Sequence, residues 1–192
     1  MNSRPALSDC DPIEVGRRVR GLREAQGVSL SQLAKRAGIG KATLSGVENG
    51  RRNPTLETLW AITAQLGVPI GAILDEPPKP EDGLPISHGP VVHGTAVEAT
   101  LLETFEEADA VIELFRMLIP PGTTQRSQPH RAGVSEHITV FRGRLVAGPV
   151  SGPFTAGPGD HLTWVADVPH LYRAEGPDTV EASLLIRYPR AR

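Results

Sequence analysis

The sequence predicts two unlike domains, an all-α bundle of short helices followed by an all-β barrel. Three observations predict this. Apolar residues recur at helical spacing between cap signals across residues 11–75. From Thr95 onward, short apolar stretches alternate instead with Gly and Pro turns. Charge changes at the same place. Residues 1–75 hold 10 Lys and Arg against 7 Asp and Glu and no His, whereas residues 76–192 hold 10 against 15 and all six His. The net charge of −2 over 192 residues therefore averages a basic part with an acidic part. The basic part is the one suited to a polyanionic partner.

Composition excludes several classes. A hydrophobic fraction of 39% and a charged fraction of 22% describe a globular chain rather than a disordered one. Cys10 is the single cysteine, so neither an internal disulfide nor a four-Cys zinc site is available. A reducing, cytoplasmic location is the expectation. No stretch approaches the ~20 apolar residues of a membrane span, and no signal-peptide core is visible.

Residues 1–10 lack periodicity and read as a flexible arm. Asp11-Pro-Ile-Glu14 has the form of a capping box with Pro at the first helical position, and Val15, Val19 and Leu22 follow at helical spacing to a stop at Gly27. Ser29-Leu-Ser-Gln32 is a second capping box, opening a helix through Leu33, Ala34 and Ala37. After the turn Gly38-Ile-Gly40, Lys41 to Asn49 form a third helix with Leu44 and Val47 inward. Asn53-Pro-Thr55 starts a fourth, with Leu56, Leu59, Ile62 and Leu66 on one face, and Pro69 to Leu74 make a short fifth. The bundle thus spans 11–75. Five prolines between Asp75 and Pro90 forbid a helix, so 76–92 read as an extended linker. The barrel occupies 93–190, with strands at Val111–Ile119, Glu136–Phe141, Arg144–Gly148, His161–Val165 and Val180–Arg187.

Two short helices around a Gly turn inside a basic bundle describe a helix-turn-helix. The run LREAQGVSLSQLAKRAGIGKATLSGVENGRRNPTLETLWAITAQLGV resembles the XRE, or lambda-repressor-like, family over residues 13–74. The resemblance implies that the third helix enters the major groove of operator DNA. Its exposed N-terminal face is then Lys41, Ala42, Thr43 and Ser45. Lys41 suits a guanine edge or a phosphate, and Ala42 a thymine methyl. Ser29, Gln32, Arg51, Arg52 and Asn53 fall where the family contacts phosphates, which position the protein without reading sequence. Arg23 and Glu48 interrupt apolar faces, and the family pattern pairs them across helices as a structural ion pair. Gly46 stands where many relatives carry a longer, base-reaching side chain.

Three later segments resemble the cupin family. They are Pro120-Pro-Gly122 with the loop to His130, Glu136 to Gly143 (EHITVFRG), and Gly159-Asp160 with Val168-Pro-His170. The resemblance implies a jelly-roll barrel and an effector or metal site at His130, Glu136 and His170. Ala132 occupies the place of a second His of the family set. Two His and one carboxylate suit iron, zinc, nickel or manganese. Alternation turns His137 away from Glu136, whereas His161 replaces the missing ligand only if its strand presents it inward. His130 is open to two placements, exposed in its polar loop or inside the barrel.

Together these features predict a homodimeric, sequence-specific transcriptional regulator without catalytic residues, whose cupin domain binds a small-molecule effector, with or without one divalent metal. An alternative is a metal-dependent cupin enzyme carrying a helix-turn-helix, since the arrangement also resembles the iron-dependent epoxidase of fosfomycin synthesis. A second is a DNA-binding protein whose barrel only dimerises. No membrane partner is expected.

Overall fold

The structure, a computed structural model, describes residues 11–74 and 89–190. The expected arm and most of the expected linker, including His88, lie outside the described residues. Four α-helices come first: α1 (Pro12–Ala25), α2 (Leu30–Arg36), α3 (Lys41–Glu48) and α4 (Leu56–Leu66). Ten described strands follow and form a β-rich region.

Caps set the helix starts. Ser29 and Gln32 make a complete capping box before α2: the Gln32 N–H donates to Ser29 Oγ and the Ser29 N–H to Gln32 Oε1. The first expected box is only half of one. Asp11 accepts from the Ile13 N–H at 2.9 Å, while Glu14 instead holds Arg17 and Arg18 at 2.7 and 2.8 Å. Thr55 caps α4, which ends at Gly67 with φ 68. The fifth helix is corrected to a single 3-10 turn at Ile70–Ala72. Its bonds run over three residues, from the N–H groups of Ala72, Ile73 and Leu74 to the carbonyls of Pro69, Ile70 and Gly71.

The strands are β1 (Val91–His93), β2 (Glu98–Glu106), β3 (Ala110–Ile119), β4 (Thr124–Ser127), β5 (Ser135–Arg142), β6 (Leu145–Pro149), β7 (Phe154–Ala156), β8 (His161–Val165), β9 (His170–Ala174) and β10 (Val180–Pro189). They form a six-stranded sheet, β1-β2-β3-β10-β5-β8, and a four-stranded sheet, β4-β9-β6-β7. All pairings are antiparallel. β1 uses Val91 and Val92, two residues expected in the linker, and buries both. Alternation defines the inner face: Phe115, Met117 and Ile119 from β3, Leu184 and Ile186 from β10, and Ile138 and Val140 from β5 are buried, and their neighbours are not.

Helices and sheets share one contiguous apolar cluster running from Val15 and Leu59 to Met117 and Tyr188. Polar bonds stitch the same seam. The Thr95 N–H donates to Glu57 of α4 at 2.6 Å. The Gly71 N–H donates to the fully buried Glu113 of β3. A Cβ on Gly71 would lie 2.8 Å from Glu113 Oε1 and 3.1 Å from Thr104 Oγ1, so only glycine permits this approach. Gly71→Ala is therefore expected to cost about 1–3 kcal/mol, read as a lower midpoint in chemical denaturation. An unchanged midpoint would contradict this tight seam.

Candidate functional site

The first candidate surface is on the helices. Lys41 and Ala42 are exposed at the start of α3, and Thr43 and Ser45 are half-buried beside them. Gly40 precedes them as a cap without a side chain, so the first N–H groups of α3 have no side-chain partner there. The buried Leu44 and Val47 hold the other face against the bundle. Asn49 reaches back to the Ser45 carbonyl at 2.7 Å and to its hydroxyl at 3.4 Å, which fixes Ser45. Ser29, Gln32, Arg51, Arg52 and Asn53 are all exposed. The capping box uses Gln32 Oε1, leaving its amide NH2 to face outward partners.

Gly46 has a structural reason. A Cβ there would meet Arg52 Cδ at 2.9 Å and Cγ at 3.1 Å. The glycine lets the Arg52 stem lie across α3, which brings that guanidinium to the side of the helix. Beneath this surface Arg23 and Glu48 form a two-pronged ion pair, Nε to Oε1 at 2.7 Å and NH2 to Oε2 at 2.8 Å. Arg23 also donates to the Val28 carbonyl at 2.9 Å. The pair ties α1 to α3 and holds the angle of α3.

The second candidate site is inside the β region. His130, Glu136 and His170 bring one ligand atom each within 4.8 Å of one another, and all three are buried. β5 aims Glu136 inward with Ile138 and Val140. β9 aims His170 inward with Tyr172. The loop after β4 is held by the His130 N–H, which donates to the Ala166 carbonyl at 2.9 Å. This places His130 inside rather than in solvent.

Glu136 draws three side chains to itself. His130 Nε2 lies 2.9 Å from Oε1, His170 Nε2 3.3 Å from Oε1, and the Tyr172 hydroxyl donates to Oε2. Burial alone would raise this carboxyl. The charge of His170 and the bond from His130 outweigh it and hold the group well below the usual carboxylate range. Burial likewise lowers His170, and the charge of Glu136 more than offsets that. His170 Nδ1 donates to the Val168 carbonyl at 2.9 Å, which leaves Nε2 as its inward atom.

This donor set fits a divalent cation. Two imidazoles and a carboxylate converge, one imidazole is oriented by a carbonyl behind it, and His170 Nε2 lacks a well-aligned hydrogen bond. The other histidines face elsewhere. His161 is exposed and bonds Thr139 at 2.9 Å, with His137 5.9 Å away on the same outer face, so neither replaces the missing ligand. Ala132 is exposed too.

Sequence reasoning missed the ring of large side chains around the triad. Trp60 of α4 lies edge-on to His130 at 6.1 Å, and Tyr188 does so at 6.1 Å from β10. Trp164 stands 6.3 Å from His170. The signal for Trp60 was present: α4 is apolar around most of its circumference, as a helix covered on two faces must be. Glu113 was also missed. It interrupts β3 at an inward position, beside Tyr188 and the amides of Ile70 and Gly71.

Burial pushes Glu113 up to about 7, against the pull of the Gly71 N–H that donates to it. The folded state therefore holds a proton more tightly than the unfolded chain. Stability from this group is complete below its unfolded value of 4.5 and is lost as pH rises through about 7. The melting temperature should fall between about pH 5 and pH 8, and Glu113→Gln should flatten that fall. Equal slopes in the two proteins would remove Glu113 from the account.

The helix-turn-helix family HTH_3 matches residues 19–73. The HTH-type transcriptional regulator SutR of Escherichia coli (strain K12) is 34% identical over 176 residues, covering 90% of this chain and 94% of SutR. The regulator SinR of Bacillus subtilis (strain 168) is 40% identical over 63 residues, covering 32% of this chain and 57% of SinR. An HTH_3 family transcriptional regulator from Vibrio cholerae shares the fold, with a TM-score of 0.76 at 24% identity over 94% of this chain and 98% of that one.

Proposed function

The chain belongs to the HTH-type transcriptional regulator family that includes SutR, and we propose that it is a homodimeric operator-binding protein whose cupin barrel binds a small effector. The observation that carries the reading is the exposed start of α3. Lys41 and Ala42 lead into the groove, and Thr43 and Ser45 follow on the same face. Ser29, Gln32, Arg51, Arg52 and Asn53 hold the flanking phosphates, with Arg52 carried across Gly46. One such helix reads one half-site, so a twofold dimer spans two half-sites about 34 Å apart.

His130, Glu136 and His170 would hold one divalent metal, and the two sheets close around it as a jelly-roll barrel. Such a metal supplies a Lewis-acidic site for an oxygen ligand. The protein orients the imidazoles, keeps Glu136 ionised and excludes water. The extent of the match to SutR, whose name is that of a regulator, supports a regulatory role over a catalytic one. An effector acts by favouring one arrangement of the helices over another.

Replacing Lys41, Arg51 and Arg52 together by Ala removes six cations per dimer, and should weaken operator binding and make its logarithmic salt slope shallower by about 5. Fluorescence anisotropy across a salt series reads both. Unchanged affinity and slope would contradict the DNA assignment. Sedimentation of the full chain should give the mass of two copies; a single-chain mass at micromolar concentration would contradict the dimer.

A further inference from the structure

The hydrogen-bond inventory around the triad is unbalanced. Trp60 Nε1, Trp164 Nε1, Ser127 Oγ and Gln125 Nε2 are buried with no hydrogen-bond partner among the described residues. Their positions are close to the histidines. The rings of Trp60 and Trp164 lie 6.1 and 6.3 Å from His130 and His170. Ser127 is the cross-strand neighbour of His170, and Gln125 that of Tyr172. Trp164 is the cross-strand neighbour of Glu136.

All four atoms can donate, and an indole N–H can do nothing else. Glu136 does not serve them, because its two oxygens are taken by His130 and by Tyr172. Gln125 spends its own Oε1 on the Ala96 N–H at 3.1 Å. A cation at the triad would satisfy the imidazoles but no N–H or O–H group. Leaving a buried donor unmade is costly, so the two indoles beside the histidines call for an occupant that brings acceptors.

We propose that the barrel's ligand is a small oxyanion, seated at the triad and accepting from the indole N–H of Trp60, so that the DNA-reading helices supply one wall of the effector site. The proposal rests on the metal reading above and goes beyond it by naming the ligand class and the residue that senses it. Carboxylates and inorganic oxyanions share the required chemistry. The occupant is small because fully buried Tyr172, Phe115 and Met117 fill the interior. Trp60 belongs to α4, which follows α3 in the helix-turn-helix unit. A ligand that pulls on Trp60 therefore biases the helices directly, and the coupling does not have to pass through the linker.

The two tryptophans of the chain are Trp60 and Trp164, so the site carries its own reporters. The test uses the full chain and its Trp164→Phe variant, in which Trp60 is the sole tryptophan and is excited selectively near its red edge. Zinc uptake is measured first by calorimetry. The zinc-loaded proteins are then titrated with acetate, with sulfate and with neutral acetamide. A saturable change in Trp60 emission is expected with acetate, with sulfate or with both, and none with acetamide; the two anion arms separate a carboxylate ligand from an inorganic one. Trp60→Phe should keep its zinc and lose about tenfold in anion affinity by calorimetry. Zinc uptake without any anion response at millimolar concentration would overturn the ligand class. Equal anion affinity in Trp60→Phe would overturn the role of Trp60. An anion response without zinc uptake would uphold the pocket and contradict the metal reading, and a chain that takes up neither contradicts both.

Discussion

Glu136 is a carboxylate with no access to solvent. A charge in that position must be met by donors or by a cation, because the interior offers no water to replace its hydration. That requirement organises the surroundings. His130 arrives on a loop pinned to the Ala166 carbonyl, and His170 and Tyr172 arrive two residues apart on one face of β9. Glu136 stands on the six-stranded sheet and His170 and Tyr172 on the four-stranded one, so the site exists only when the sheets face each other. The pairing of β5 with β10 and β8 keeps Glu136 on the inner face, and a register slip of one residue would turn it outward.

The same interior is walled on one side by the helical unit. Trp60 sits against His130, Glu113 receives the Gly71 N–H, and Tyr188 touches both neighbourhoods. The seam is thus a continuation of the core, with apolar residues from both units in one cluster. Two units packed in this way exchange free energy through their shared wall. A ligand that prefers one arrangement of Trp60 and its helix shifts the population of helix orientations available for DNA.

Much of this was legible in the sequence where the cause is local. The capping box at Ser29 and Gln32, the turn at Gly38 and the spacing of Leu56, Leu59 and Ile62 each specify structure within a few residues, and α2 to α4 follow them closely. Alternation grouped Glu136 with Ile138 and Val140, whereas His170 was singled out by its resemblance to a family motif alone. What was not readable depends on contacts between distant segments. Trp60 looks like one more apolar residue until α4 is known to be covered on a second face. Glu113 reads as a polar interruption of β3, yet it shares the parity of Phe115 and Met117 and so points inward. Gly46 looked like a missing base contact, and its meaning lies in Arg52, six residues further on, whose stem needs the space.

The central claim is that the buried triad and the DNA-reading helix form one thermodynamic system. Linkage tests it most directly. Zinc affinity of the full chain would be measured by calorimetry with and without operator DNA, and operator affinity with and without zinc. The account predicts that each ligand changes the affinity of the other severalfold, and by the same factor. Zinc that binds with identical affinity whether or not operator is present, and operator affinity indifferent to zinc, would contradict it.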